Sequence, residues 1–297
     1  MIQGEKSMDI ERHTVVSQSN KLAVRLFPAR CATPYPAPVI LLCHGFFGIQ
    51  DLLLPVFADL FAENGYTAVT FDYRGFGDSG GETGRIVPEQ QINDIIAVLE
   101  WCKNRPDIDV KRIALWGTSL GGCHVMEVAV RHPEVKCIIS QMGFADGEQL
   151  VTGDMGHDEK KRFLNTMARM ERKKRQLGKE LFVPINKVMT DEESRVFFEK
   201  NKNNYPALDI KVPYMTVWEA IQYRPAAAAE KVTQPTLMIF AQNDKVIALE
   251  YGLAFYQAVA AEKKCYIQPK AGHYDLFAGK HFSQVAERQL HWLREYL

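Results

Sequence analysis

The chain carries no surplus of either charge. Its 297 residues hold 36 Lys and Arg against 36 Asp and Glu, a formal net charge of +0. A nucleic-acid binder replaces phosphate counterions with a basic excess, so no nucleic-acid partner is expected. No apolar run approaches the roughly 18 residues of a membrane span, and residues 1–9 lack the apolar core of a secretory leader. A cytoplasmic protein without a membrane partner is expected. Cysteine is sparse: Cys31, Cys43, Cys102, Cys123, Cys137 and Cys265 contain no C-x-x-C pair, which argues against a zinc ribbon or a dithiol redox motif. Cys43 and Cys137 lie inside apolar runs, where a buried and unreactive thiol is expected. No His, Cys, Asp and Glu cluster has metal-ligand spacing. The glycine-rich stretch 72–80 is not followed by G-x-x-x-x-G-K, so neither a metal nor a phosphate loop is expected. With 46% hydrophobic and 24% charged residues, global disorder is excluded as well.

What is present is a change of rhythm. Residues 13–16 and 21–27 alternate around Ser17-Gln18-Ser19-Asn20, which predicts an antiparallel hairpin. Pro34, Pro36 and Pro38 then impose an extended linker. Short apolar runs follow at 39–43, 66–71, 112–116, 135–140, 235–241 and 264–268. Helical spacing fills 52–64, 88–103, 120–132 and 246–261. Runs without alternation suit strands covered on both faces, so the expectation is an α/β fold with a doubly wound, mostly parallel sheet and an N-terminal antiparallel hairpin. From 143 to 232 the rhythm stops. Helical patches at 158–177 and 191–201 alternate with loops carrying Pro184, Pro206, Pro213 and Pro225. The expected organisation is a core of 1–142 and 233–297 with an inserted helical cap, 143–232, over the carboxyl edge of the sheet, where open parallel sheets bind ligands.

The sharpest motif is Gly117-Thr118-Ser119-Leu120-Gly121, directly after one predicted strand and directly before a helix. G-x-S-x-G in that context raises a serine hydroxyl above the sheet on a tight turn, with glycines where side chains would collide. A hydroxyl needs a base, and His273 follows the last predicted strand. Asp244 follows the preceding strand and is the expected orienting acid; Asp146 is a rival. The chain order Ser119, Asp244, His273 places all three at carboxyl ends of strands. The developing oxyanion needs two backbone N–H groups. One is expected from Leu120, the other from Phe46 in His44-Gly45-Phe46-Phe47-Gly48, with Phe47 its neighbour. His44 is read as bonded to the loop backbone. Asp72, Arg74 and Asp78 are read as turn and ion-pair residues.

These motifs, His44-Gly45-Phe46, 72–80, the serine elbow and the Asp244 and His273 endings, resemble the α/β-hydrolase superfamily over residues 20–145 and 230–297. Within it the chain is similar to the Xaa-Pro-peptidase-like and dienelactone-hydrolase-like group, which includes esterases and the thiohydrolase or polyketide-transferase type. True Xaa-Pro peptidases are much longer. Dienelactone hydrolase has cysteine where Ser119 stands, and dehalogenases and epoxide hydrolases place an aspartate there. The motifs define the superfamily and say little about substrate.

The later part of the insert is aromatic. Tyr214, Trp218 and Tyr223, with Phe47 from the core, are expected either to line an acyl pocket or to pack the cap. Its earlier part is basic, from Lys160 to Lys179, and steers a phosphate-bearing thioester or carrier or simply faces solvent. The expected function is that of a serine hydrolase for a small-molecule ester or thioester of an apolar acid, working without cofactor or metal. Acyl transfer or C–C cleavage by the same three residues is the alternative, and a non-catalytic binding protein a third reading. A homodimer is compatible with the sequence.

Overall fold

The computed structural model describes residues 10–30 and 35–297. The expectations on residues 1–9, Cys31 and Pro34 lie outside them. The chain opens on β1 (Glu11–Ser17) and β2 (Asn20–Phe27), paired antiparallel with Ser17 opposite Asn20. Alternation buries Val15, Leu22, Val24 and Leu26 on one side, which fixes the register.

From β3 (Ala37–Cys43) onward strands and helices alternate. α1 (Leu54–Glu63) leads to β4 (Thr67–Phe71), and α2 (Pro88–Lys103) to β5 (Ile108–Thr118). α3 (Leu120–Arg131) leads to β6 (Cys137–Gln141). Then come α4 (Gly147–Thr152), α5 (His157–Leu177), β7 (Phe182–Pro184), α6 (Glu192–Asn201), β8 (Lys211–Pro213), α7 (Thr216–Gln222) and α8 (Ala226–Ala229). β9 (Thr236–Ala241), α9 (Leu249–Ala258), β10 (Lys263–Gln268) and α10 (Gly279–Tyr296) close the chain.

The main sheet has eight strands in the order β1-β2-β4-β3-β5-β6-β9-β10. β2 is antiparallel to β4, and every later pair is parallel. Every residue of β3, β4, β6 and β9 is buried, as strands sandwiched between helices require. The winding reverses between β3 and β5: the chain steps from β3 outward to β4, then returns past β3 to β5. Right-handed crossovers therefore put α1 on one face and α2, after the reversal, on the other. One face packs Ile95, Leu99, Val125 and Phe255 of α2, α3 and α9. The other packs Phe57 and Phe61 of α1 with Leu290 and Trp292 of α10. The crevice where winding reverses lies at the carboxyl ends of β3 and β5, between the His44 loop and Ser119.

The insert is not wholly helical. β7 and β8 form a two-stranded antiparallel sheet of their own. Two prolines, Pro184 and Pro213, end these strands, and three-residue pairs leave no periodicity to read. Met167, Met215, Val217 and Ile221 form a small separate cluster, whereas Ile185, Phe198, Leu208 and Val212 join the main core.

Asp72–Gly80 settles into turn chemistry. Asp72 accepts from the Gln50 and Asp78 backbone N–H groups at 2.7 and 3.1 Å, and Asp78 is exposed. Arg74 makes a buried ion pair with Asp94 of α2, Nη2 to Oδ1 at 2.6 Å, and also reaches Ser17 and Gln18 of the hairpin. Breaking a buried pair leaves a charge without a partner. Asp94→Ala is expected to lose about 3–5 kcal/mol of stability, read by urea unfolding.

Candidate active site

Ser119 sits at φ 55°, ψ −123°, a backbone region that non-glycine residues rarely occupy. Three close approaches force it there. Its N–H donates to the Gln141 carbonyl at 2.7 Å, tying the turn to β6. A Cβ on Gly117 would stand 2.2 Å from the Gly121 carbonyl oxygen, and one on Gly121 would stand 2.3 Å from that of Cys43. Helix α3 can rest on the sheet only because both positions lack a side chain. The Leu120 N–H is in the first turn of α3, where no intrahelical acceptor exists and the helix field favours negative charge.

The loop after β3 comes in from the side, with Gly45 so near that an added Cβ would meet Ser119 Cβ at 2.8 Å. His44 is buried, and its Nδ1 lies 3.2 Å from the Gly45 carbonyl, which only accepts, so the proton sits on Nδ1. Burial pushes its pKa down to about 4. Its ring is therefore neutral and bonded to the loop.

Asp244 and His273 meet from the ends of β9 and β10. Asp244 Oδ1 accepts from the backbone N–H groups of Val246 and Ile247, both at 2.8 Å. That turn delays the helix, so α9 begins at Leu249 and not at the expected 246. Oδ2 faces His273 Nδ1 at 2.7 Å, with both side chains at most 5% exposed. A carboxylate accepts, so His273 carries its proton on Nδ1 and keeps a lone pair on Nε2. Burial opposes the charged ring, but the charge and hydrogen bond of Asp244, with further charge from Glu193 and Asp191, raise its pKa above the ordinary value. The rival Asp146 is occupied elsewhere. It caps α4 through the Gln149 N–H and pairs with Arg224.

Ser119 and His273 line one cavity of about 40 Å³, together with His44, Phe46, Phe197 and Phe277. A second cavity of about 350 Å³ also reaches Ser119 and Phe46, walled by Phe144, Leu150, Val217 and Ile247. Met189 lines both. Residues of the insert thus wall both spaces.

The four aromatics expected at the substrate line neither cavity, and this is a correction. Phe47 is buried at φ 52° against Phe46 and Phe76. Tyr223 is buried with its hydroxyl 2.9 Å from His124 Nδ1. Tyr214 and Trp218 pack against the small cluster of the insert. Phe47 and Tyr223 are buried and Tyr214 and Trp218 half-buried, and the walls come from Met189, Phe197 and Leu150 instead. None of the basic residues of α5 lines either cavity. Lys160, Lys174 and Arg175 pair with Glu148, Glu180 and Glu171.

Two other groups escaped sequence reasoning. His124 is buried between Gln91 and Tyr223, and burial pushes its pKa down to about 3. Glu100, His132 and Glu134 bring ligand atoms within 4.8 Å of one another. Their separation by some thirty residues hid them. Lys103 already binds both carboxylates at 2.8 Å, so the group forms an ion-pair network. Among the described cysteines, Cys43, Cys102, Cys123 and Cys137 are buried free thiols and Cys265 is exposed. No helix among the described residues is long and apolar enough to cross a membrane.

A reversed parallel sheet thus carries a strained serine and a carboxylate-bound imidazole to one cavity. Residues 38–280 match the family model for the alpha/beta hydrolase fold, and the chain belongs to that family. It is 50% identical over 261 residues, 88% of this chain and 91% of the other, to a 31.7 kDa Escherichia coli protein from the traX-finO intergenic region. It is 25% identical over 275 residues, 88% and 86% of the two chains, to thiohydrolase aneE of Aspergillus aculeatus. Among solved structures, the alpha/beta hydrolase GrgF from Penicillium shares the fold with TM-score 0.80 at 22% identity, over 97% of this chain and 99% of that one. The curated sequence of that name, 24% identical over 282 residues (92% and 91% of the two chains), is a polyketide transferase.

Proposed function

We propose that the chain is a serine hydrolase that cleaves a carboxylic ester or thioester of a small-to-medium apolar acid through an acyl-enzyme. One arrangement supports this above all: Asp244 fixes the Nδ1 tautomer of a buried His273 whose ring shares a cavity with Ser119. In this reading Ser119 Oγ attacks the carbonyl carbon and its proton passes to His273 Nε2. The N–H groups of Leu120 and Phe46 hold the oxyanion. The tetrahedral intermediate collapses, and His273 gives the proton to the departing alkoxide or thiolate. Water, deprotonated by His273, then releases the acid and restores Ser119. Residues 143–232 act as the cap. Their apolar side chains, among them Leu150, Val188, Met189 and Val217, line a cavity within the size range of small-molecule sites beside Asp154 and Asp191, and support the reading of an acyl chain with a polar end.

A fluorophosphonate is expected to add covalently to Ser119 in the folded protein, seen as a mass increase on the peptide carrying that residue. Absence of labelling would sink the proposal. Transfer to an alcohol instead of water is the second reading, favoured by the walls of the insert over Ser119 and by the polyketide transferase relative. A panel of esters and acyl thioesters, with and without an added alcohol, separates the two through their products.

A further inference from the structure

The insert does more than wall the cavities: it grips both loops that carry the acid and the base. Glu193, in the first turn of α6, is the hinge of that grip. Its Oε2 accepts from the Lys245 N–H at 3.1 Å, one residue past Asp244. Its Oε1 accepts from the Tyr274 N–H at 3.4 Å, one residue past His273. The carboxylate lies so close to the second loop that a Cβ on Gly272 would stand 2.4 Å from Oε1. The neighbouring turn adds two contacts. Ser194 Oγ is 3.1 Å from the Tyr274 hydroxyl, and the Phe197 ring stacks on Tyr274 at 3.8 Å and 5°. Asp191 caps the helix through the Ser194 N–H at 2.7 Å, so the start of α6 is itself held.

We propose that Glu193 is a positioning residue that ties the Asp244 loop to the His273 loop, so that the seating of α6 sets the geometry of the base. This rests on the hydrolase reading above. The physical reason is that the two loops follow neighbouring strands and are joined directly by the Asp244–His273 bond, by the Asn243 N–H to the Ala271 carbonyl and by the Lys270 N–H to Gln242 Oε1 at 3.0 Å, none of which reaches past Asp244 and His273 toward the insert. One carboxylate accepting from both loops adds a tie from the insert, one residue past the acid and one residue past the base. It also adds negative charge beside the imidazole. The titratable and charged groups around His273 are Asp244 and Lys245 from the β9 loop, Glu193 and Asp191 from α6, Tyr274 and Asp275 from its own loop, and His44 across the cavity.

The test uses the full chain and the best ester of the panel. Glu193→Ala is expected to lower kcat by about 10²-fold, the scale on which a small misplacement of a reacting group acts. KM should change far less, and the rate of fluorophosphonate labelling should fall in step with kcat. Losing a negative charge favours the neutral ring, so the acid limb of the kcat/KM profile should move to lower pH. Glu193→Gln keeps the shape and one acceptor. It should show the same movement of the acid limb with a smaller drop in kcat, and it carries the test if the alanine variant does not fold. Glu192→Gln, on the same helix but exposed, controls for helix charge and should change neither reading. Unchanged kcat and an unmoved acid limb in Glu193→Gln, or equal changes in Glu192→Gln, would overturn the inference while the hydrolase reading stands. A wild-type protein that the probe does not label at Ser119 would remove both.

Discussion

Ser119→Ala is expected to lower kcat by on the order of 10⁶-fold, the scale of losing the nucleophile from a group of residues that act as a unit. The variant removes one oxygen and little else. Alanine stands at the same φ of 55° as the serine, so the strain of the turn is unchanged. The N–H to Gln141 and the close packing of Gly117 and Gly121 do not involve the hydroxyl. Near-wild-type thermal unfolding is therefore expected beside the kinetic collapse. Substrate affinity should also persist, because the walls of both cavities are intact. What remains is the contribution of the oxyanion donors and binding, roughly 10³ to 10⁴ over water. Turnover close to wild type would mean that the hydroxyl is not the attacking group, and the acyl-enzyme scheme would fail.

The elbow was legible because its chemistry is local. Gly117, Ser119 and Gly121 announce a turn that only those residues make, and the strand before it and the helix after it stand in the same stretch of sequence. Asp244 and His273 were legible for a weaker reason: each follows an apolar run, and parallel strands deliver their carboxyl ends to one rim. Asp146 met the same criterion, and only the three-dimensional distribution of partners separates it from Asp244. The bounds of α2 were readable to the residue, since Pro88 fits a first helical position. Helix α10 was not anticipated, although Trp292, Leu293 and Gln289 hold it to β5 and β6. Gln289 accepts from the Trp116 indole N–H at 2.8 Å and donates to Gln141 at 2.9 Å.

The substrate walls were the least legible part. Aromatic composition marks apolar surface but not which side of a helix it faces. Phe47 and Tyr223 spend that surface in the core, while Phe197 and Met189, which nothing in the sequence distinguished, reach the cavity. The tie through Glu193 was invisible for the same reason. A glutamate in the first turn of a helix reads as a partner of the helix field, and its two long-range acceptor bonds depend on how the insert folds back.

The second large effect is expected at Asp244, and the hydrogen bonds around it decide which substitution is informative. Asp244 Oδ1 already takes two backbone donors, Val246 and Ile247. In Asp244→Asn the amide oxygen must stay there, because turning the amide over would set its NH₂ against two N–H groups. The NH₂ is thereby forced toward His273 Nδ1, which now has to accept. The imidazole proton moves to Nε2, the nitrogen that must be empty to take the proton from Ser119. An expected loss of about 10⁴-fold in kcat follows from the wrong tautomer alone, with stability nearly retained. Asp244→Ala makes the opposite trade. It leaves the ring free to choose its tautomer but strands the buried Ile247 N–H and the part-buried Val246 N–H, at about 1–3 kcal/mol for the buried group left without its partner. Thermal unfolding and kcat, measured on both variants, therefore separate orientation of the base from support of the loop. Asp146→Asn provides the comparison, since that side chain caps α4 and pairs with Arg224. If Asp146→Asn lost activity and Asp244→Asn did not, the acid would have been assigned to the wrong strand, and the bond of 2.7 Å to His273 would be structural rather than catalytic.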